Sequence, residues 1–134
     1  MLDRLFKAVC GMAMTWLIAG CPQAPVTPQP PDQPDAAPRA VLRAFMDAEQ
    51  HGDFNKVYAL LSAPLRARYT PERLQSDYTH DRALADDKLA RIRAALASGT
   101  ALDVHGADAA LILGEGRAVH LVDERGSWRV ASLE

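Results

Sequence analysis

Cysteine carries the most reactive side chain in this sequence, and only two are present, Cys10 and Cys21. A thiolate can act as a nucleophile, bind a metal or accept an alkyl group. Cys10 lies inside an apolar run, whereas Cys21 stands just past its end, directly after Ile18-Ala19-Gly20. The four histidines, His51, His80, His105 and His120, offer a base or a ligand. None has a partner at the short, fixed spacing that metal sites use, so no metal is expected. His51 precedes Gly52 at a helix end, where imidazole meets the negative end of the helix dipole. His80-Asp81 reads as a loop entering a helix cap rather than an acid–base pair. His105 adjoins Gly106 at a strand end and reads as solvated. His120 falls mid-strand, a place from which a base can address a cavity. Asp81, Asp86 and Asp87 fall on the exposed side of a predicted helix, and Asp103 and Asp108 flank a turn, so no catalytic carboxylate pair emerges. The serines occupy no G-x-S-x-G elbow, and no phosphate- or dinucleotide-binding glycine pattern occurs, so no catalytic residue and no cofactor are expected. Tyr58, Tyr69, Tyr78 and Trp128 are aromatic at helical or strand spacing, which suits a core as well as a pocket.

The segment that delivers Cys21 has a recognisable physical layout. Residues 1–7 carry Arg4 and Lys7 against Asp3, an apolar stretch follows from Ala8 to Ile18, and two small residues close it. A cationic start, a short apolar run and small residues before a cut are the features of a secretory signal. The run is shorter than the ~20 residues that span a bilayer. In this setting Ile18-Ala19-Gly20-Cys21 resembles the lipobox of bacterial lipoproteins. That resemblance implies residues 1–20 as a signal peptide, cleavage between Gly20 and Cys21, a diacylglyceryl thioether on Cys21 and acylation of the new amino terminus. Burial of acyl chains contributes about 0.8 kcal/mol per CH2, and stable anchoring takes more than one chain. Cys21 is therefore the expected lipid-attachment site and the membrane the expected first partner. Pro22 follows the cysteine where aspartate would favour inner-membrane retention, which points to a periplasm-facing envelope location, the outer membrane slightly ahead.

Residues 21–38 hold seven of the nine prolines. Proline fixes φ and lacks a donor, so the stretch favours extended polyproline geometry and reads as a spacer reaching roughly 50 Å. Removing residues 1–20 changes the net charge from −2 to −3 and leaves one cysteine, which excludes an internal disulfide. Basic runs interleaved with aromatics are absent, so nucleic acid is not an expected partner.

From Arg39 to Glu134 the pattern is that of one small domain. Val41, Leu42, Phe45, Met46 and Glu49 mark a first helix, with Pro38 in its opening turn and Gly52 closing it. Asp53 caps a second, carrying Phe54, Val57, Tyr58, Leu60 and Leu61. Pro64 and Thr70-Pro71 each restart a short helix, and Asp81 to Ser98 forms a longer amphipathic one ended by Gly99. After Gly99 the period shortens. Leu102–His105, Ala109–Leu113, Arg117–Asp123 and Ser127–Leu133 read as strands joined by short glycine turns, which implies antiparallel hairpins. Val119 and Leu121, with Trp128 and Val130, are expected to face the helices; Ala118, His120 and Val122 face away. The predicted class is α+β, with the N-terminal helices on one face of a three- or four-stranded meander.

This order of elements, with Gly52-Asp53-Phe54 opening the second helix and Gly126-Ser127-Trp128-Arg129-Val130 on the last strand, resembles the NTF2-like (SnoaL-like) superfamily of α+β cones. Its members range from isomerases and carriers to non-catalytic modules, so fold alone assigns no activity. The expectation is a membrane-tethered, non-catalytic envelope module that binds a protein or a small ligand. The alternative is a small NTF2-like enzyme or ligand carrier with a pocket near Tyr58, His120 and Trp128. A cavity of roughly 300 Å3 or more with an ionisable group would favour the alternative, and a filled cone with a flat apolar patch would favour a protein partner. Metabolic labelling with a fatty acid is expected to mark the wild-type chain and spare Cys21→Ala; equal labelling of both would refute the anchor.

Overall fold

The first helix takes its shape from one apolar stripe and one ion pair. In a computed structural model that describes residues 34–133, α1 (Ala36–Gln50) buries Leu42, Phe45, Met46 and Ala48 along one side. It starts inside the span read as linker, and Pro38 is itself buried in its first turn, where a missing N–H costs nothing. Asp35 anchors that start. Its carboxylate lies 2.6 Å from Arg39, whose guanidinium also donates to the Thr100 carbonyl at 2.9 Å. Residues 1–33, with the expected signal peptide and Cys21, lie outside the described residues.

α2 (Phe54–Leu60) follows through the predicted cap: the Asp53 carboxylate accepts from the Lys56 N–H at 3.1 Å. Gly52 adopts φ +69°, the left-handed geometry that ends α1 at low cost. α3 (Ala63–Arg66) is one turn. α4 (Pro71–His80) is capped by Thr70, which accepts from the Arg73 N–H at 3.2 Å, with Pro71 at its first position. Asp81 joins α4 to α5 (Arg82–Ala97) but makes no side-chain cap, so its expected capping role is corrected. The turn there is tight enough that the same residue ends one helix and begins the next.

Four strands complete the chain: β1 (Asp103–His105), β2 (Asp108–Gly114), β3 (Arg117–Asp123) and β4 (Trp128–Leu133). They form one antiparallel sheet in the order β1-β2-β3-β4. The architecture is α+β, with helices preceding a four-stranded meander and packed against it. Alternation along each strand decides which face is covered. Ala109, Leu111, Val119, Leu121 and Val130 are buried toward the helices, with Trp128 half-buried at their edge, as the alternation predicts. His120 is exposed on the other face, opposite Ala110 and Ser132. A bulge in β4 skips Ala131, pairing Leu121 with Val130 and Val119 with Leu133. One extra residue thus puts both Val130 and Leu133 in register with core partners.

Contacts from the helical layer close the outer edge of β4. The Ser62 N–H donates to the Val130 carbonyl at 2.8 Å, beside a parallel bridge between Leu61 and Val130. Glu124, in the β3–β4 turn, accepts from the Ala63 N–H at 2.6 Å and from Arg66 at 3.2 Å, so it caps α3 from another part of the chain. Arg129 donates to the Ala59 carbonyl near the C-terminal end of α2 at 2.8 Å. Glu124→Ala is expected to lower unfolding free energy by about 1–2 kcal/mol, through loss of a cap and a charge-assisted bond. His120→Ala should change it by less than about 0.5 kcal/mol, since the side chain stands in solvent. Urea midpoints of the two variants check this packing, and a reversed order would refute it.

Candidate functional site

The helices do not cover the sheet evenly, and the gap they leave is a concave feature lined by residues of both layers. α1 and α2 contact β4, and α5 contacts β2, while α4 packs on α2 and α5. Between α4, α5 and the end of β4 lies a partly open cleft of about 560 Å3. That volume falls in the range typical of small-molecule sites. Its apolar wall includes Phe45, Leu65, Leu74, Leu89, Ile92 and Leu133. Leu84, an α5 residue that is 56% exposed, also lines it. A leucine left this open is unusual only because it adjoins a cavity of like character.

Glu49 is one of several ionisable groups that line this cleft, and the one whose carboxyl is pushed furthest from its ordinary value. It sits on α1 four residues after Phe45, on the continuation of the stripe that buries Leu42 and Phe45. Helical spacing thus carries a carboxylate toward the core. Burial pushes the Glu49 carboxyl up to about 7; Lys88 opposes the rise and Asp86 adds to it. Lys88, on α5, lines the same cleft and donates from Nζ to the Leu133 carbonyl at 3.2 Å. No side-chain hydrogen bond and no ion pair within 4.0 Å involves Glu49 among the described residues. Tyr78 closes the α4 side: its ring packs on Phe54 at 5.5 Å, and its hydroxyl donates to Asp86 at 3.0 Å. Its pKa is raised, first by burial and then by the hydrogen bond and charge of Asp86. Asp77, Asp81, Arg68 and Tyr69 also line the cleft.

Several groups considered in the sequence lie elsewhere. Tyr58, His120 and Trp128, the residues of the expected pocket, do not line this cleft. The Tyr58 hydroxyl donates to the Arg66 carbonyl at 3.3 Å, holding α3 to α2. His120 points away from the helical layer because strand alternation puts Val119 and Leu121 inside. His51 contacts the Asp47 carbonyl at 2.8 Å at the end of α1, and His105 pairs with Asp103 at 2.8 Å in the open. His80 is exposed at the end of α4. Of the four aromatics weighed, Tyr69 and Tyr78 reach the cleft. Glu49 went unrecognised as a site residue. The available signal was a carboxylate in phase with an apolar stripe, at Val41, Phe45 and Glu49.

Among the described residues, no cluster of three His, Cys, Asp or Glu side chains is suited to a metal ion. No described helix is long and apolar enough to cross a membrane. Comparison with protein-family models, curated proteins and solved structures finds no match.

The raised Glu49 pKa carries a signed consequence for stability. Unfolded, this carboxyl ionises near 4.5; folded, it ionises near 7. The folded state therefore holds its proton longer, and its relative stability falls as pH rises from about 4.5 to about 7, then levels. The total effect is on the order of 3 kcal/mol. Glu49→Gln should be more stable than wild type at alkaline pH, with the difference shrinking toward pH 5. Denaturation midpoints at several pH values measure that difference, and a constant offset would show that Glu49 is not desolvated.

Proposed function

We propose that this chain is a membrane-tethered envelope module that binds a small, largely apolar ligand in the cleft between α4, α5 and β4. The single observation that carries the ligand reading is the coincidence of a cavity of about 560 Å3 with the half-buried Glu49 carboxylate. An apolar wall supplies most of the binding energy through area removed from water, and one polar group fixes orientation. Tethering rests on the lipobox and on the alkylation of Cys21. The proline-rich spacer then holds the domain away from the bilayer, with the cleft open to the periplasm.

One observation favours a second reading, that of a small NTF2-like enzyme. A carboxyl with a pKa near 7 is matched to proton transfer at neutral pH. The non-catalytic reading ranks first because Glu49 has no hydrogen-bonded partner among the described residues to orient it or share its proton.

Ala85 lines the cleft on α5, so Ala85→Trp fills the space without touching Glu49 by substitution. With the full chain in lipid nanodiscs, 1-naphthol should bind saturably over empty nanodiscs. Ala85→Trp should weaken binding tenfold or more, with little change in unfolding temperature. Equal, non-saturating signals from both proteins would refute the cleft as a ligand site.

A further inference from the structure

The cleft has a wall chemistry more specific than its volume. Its greasy side is built by residues such as Leu65, Leu74, Leu84 and Leu89 from the segments that flank the gap. The charged side chains are unequal in their commitments. Lys88 is tied to the Leu133 carbonyl at 3.2 Å, and Asp77 lies 3.9 Å from Arg73. Arg68 is exposed, so its guanidinium is already served by water. Glu49 is different: it is half-buried in the lining of the cleft, and no donor of the described residues reaches it within hydrogen-bond distance. A carboxylate in this setting keeps only part of the hydration it would have outside, and an incoming group that donates replaces what is missing.

We infer that the cleft selects an amphiphilic amine, whose ammonium group pairs with the Glu49 carboxylate while its hydrocarbon part lies along the leucine-lined wall. This identification rests on the ligand-binding reading above and names the chemical class for it. An ammonium brings both a positive charge and up to three donors, and a charge-assisted bond of this kind is about twice as strong as a neutral one. A neutral alcohol supplies one donor and no charge. A fatty carboxylate meets the same wall but places like charge beside Glu49, with Asp77 and Asp81 also lining the cleft. The net charge of the lining therefore discriminates against anions while its apolar area accepts any of the three tails. Partial burial of Glu49 also keeps screening by salt weak relative to a surface pair.

Three probes with the same tail separate head group from wall: hexylamine, hexan-1-ol and hexanoate, titrated at about pH 8 into the full chain in nanodiscs of neutral lipid. Dissociation constants follow from ligand-observed NMR, with empty nanodiscs as the reference. The expected order is hexylamine at least tenfold tighter than hexan-1-ol, with hexanoate weakest. Glu49→Gln should bring hexylamine close to the level of hexan-1-ol, lowering the affinity for hexylamine far more than that for hexan-1-ol. Lys88→Met, which removes the cation nearest in charge effect to Glu49, should bind hexylamine at least as tightly as wild type. Equal affinities for amine and alcohol in the wild type, or a preference for hexanoate, would overturn the amine assignment and leave the cleft reading standing. Retention of the amine preference in Glu49→Gln, or weaker amine binding in Lys88→Met, would overturn the assignment as well. If none of the three binds, both the assignment and the ligand reading fail.

Discussion

The structure depends on one contact layer, the apolar stripe of α1 laid across the covered face of the sheet. Leu42 and Phe45 from the helix and Leu111, Val119, Leu121 and Val130 from the strands are all essentially without solvent exposure. In a domain of this size the core is small, and each such side chain represents a large share of the stability. The strands cannot be shifted by one residue without exposing that whole set. The β4 bulge at Ala131 lets both Val130 and Leu133 serve the layer. Around it, ties between distant segments make the small core a unit. Glu124 caps α3, Arg129 holds the end of α2, and Arg39 joins the start of α1 to the loop at Thr100.

The same layer creates the cleft. α1 and α2 cover β4, and α5 covers β2, but α4 stands off and packs on its neighbouring helices. The uncovered corner is lined by whatever the flanking stripes present there. Glu49 is the continuation of the α1 stripe past Phe45, so the position that would extend the core instead brings a carboxyl into it. Its pKa of about 7 and its place in the cavity have one origin, loss of water on the inward side of α1.

Most of the element order was legible from residue pattern because the signals were local. Gly52-Asp53, Thr70-Pro71 and Gly99 punctuate the helices through backbone geometry that needs no tertiary partner. The strand β3 shows the same for alternation: Val119 and Leu121 against Ala118, His120 and Val122 decided which face is buried before any packing was known. Asp81 failed as a cap because α4 and α5 meet at a single residue, a circumstance that a residue type alone does not encode. What Tyr58 and Trp128 contact was likewise outside the reach of residue type. Tyr58 and Trp128 have the composition of pocket residues, but Tyr58 is used to hold the Arg66 carbonyl and Trp128 packs at the core's edge.

The sequence by itself determined the class, the helix and strand limits to within a few residues, and the inward face of the sheet, because these follow from periods of 3.6 and 2 and from turn chemistry. It also carries Ile18-Ala19-Gly20-Cys21, on which the proposed lipid anchor rests and which needs no fold to be read. Only the tertiary structure decided that Glu49, Tyr78 and Lys88, from three helices, share one cavity, and that His120 does not. That outcome depends on how far α4 stands from β4 and on which side of a charged residue loses its water. Both are properties of packed surfaces, and neither is written in any single segment.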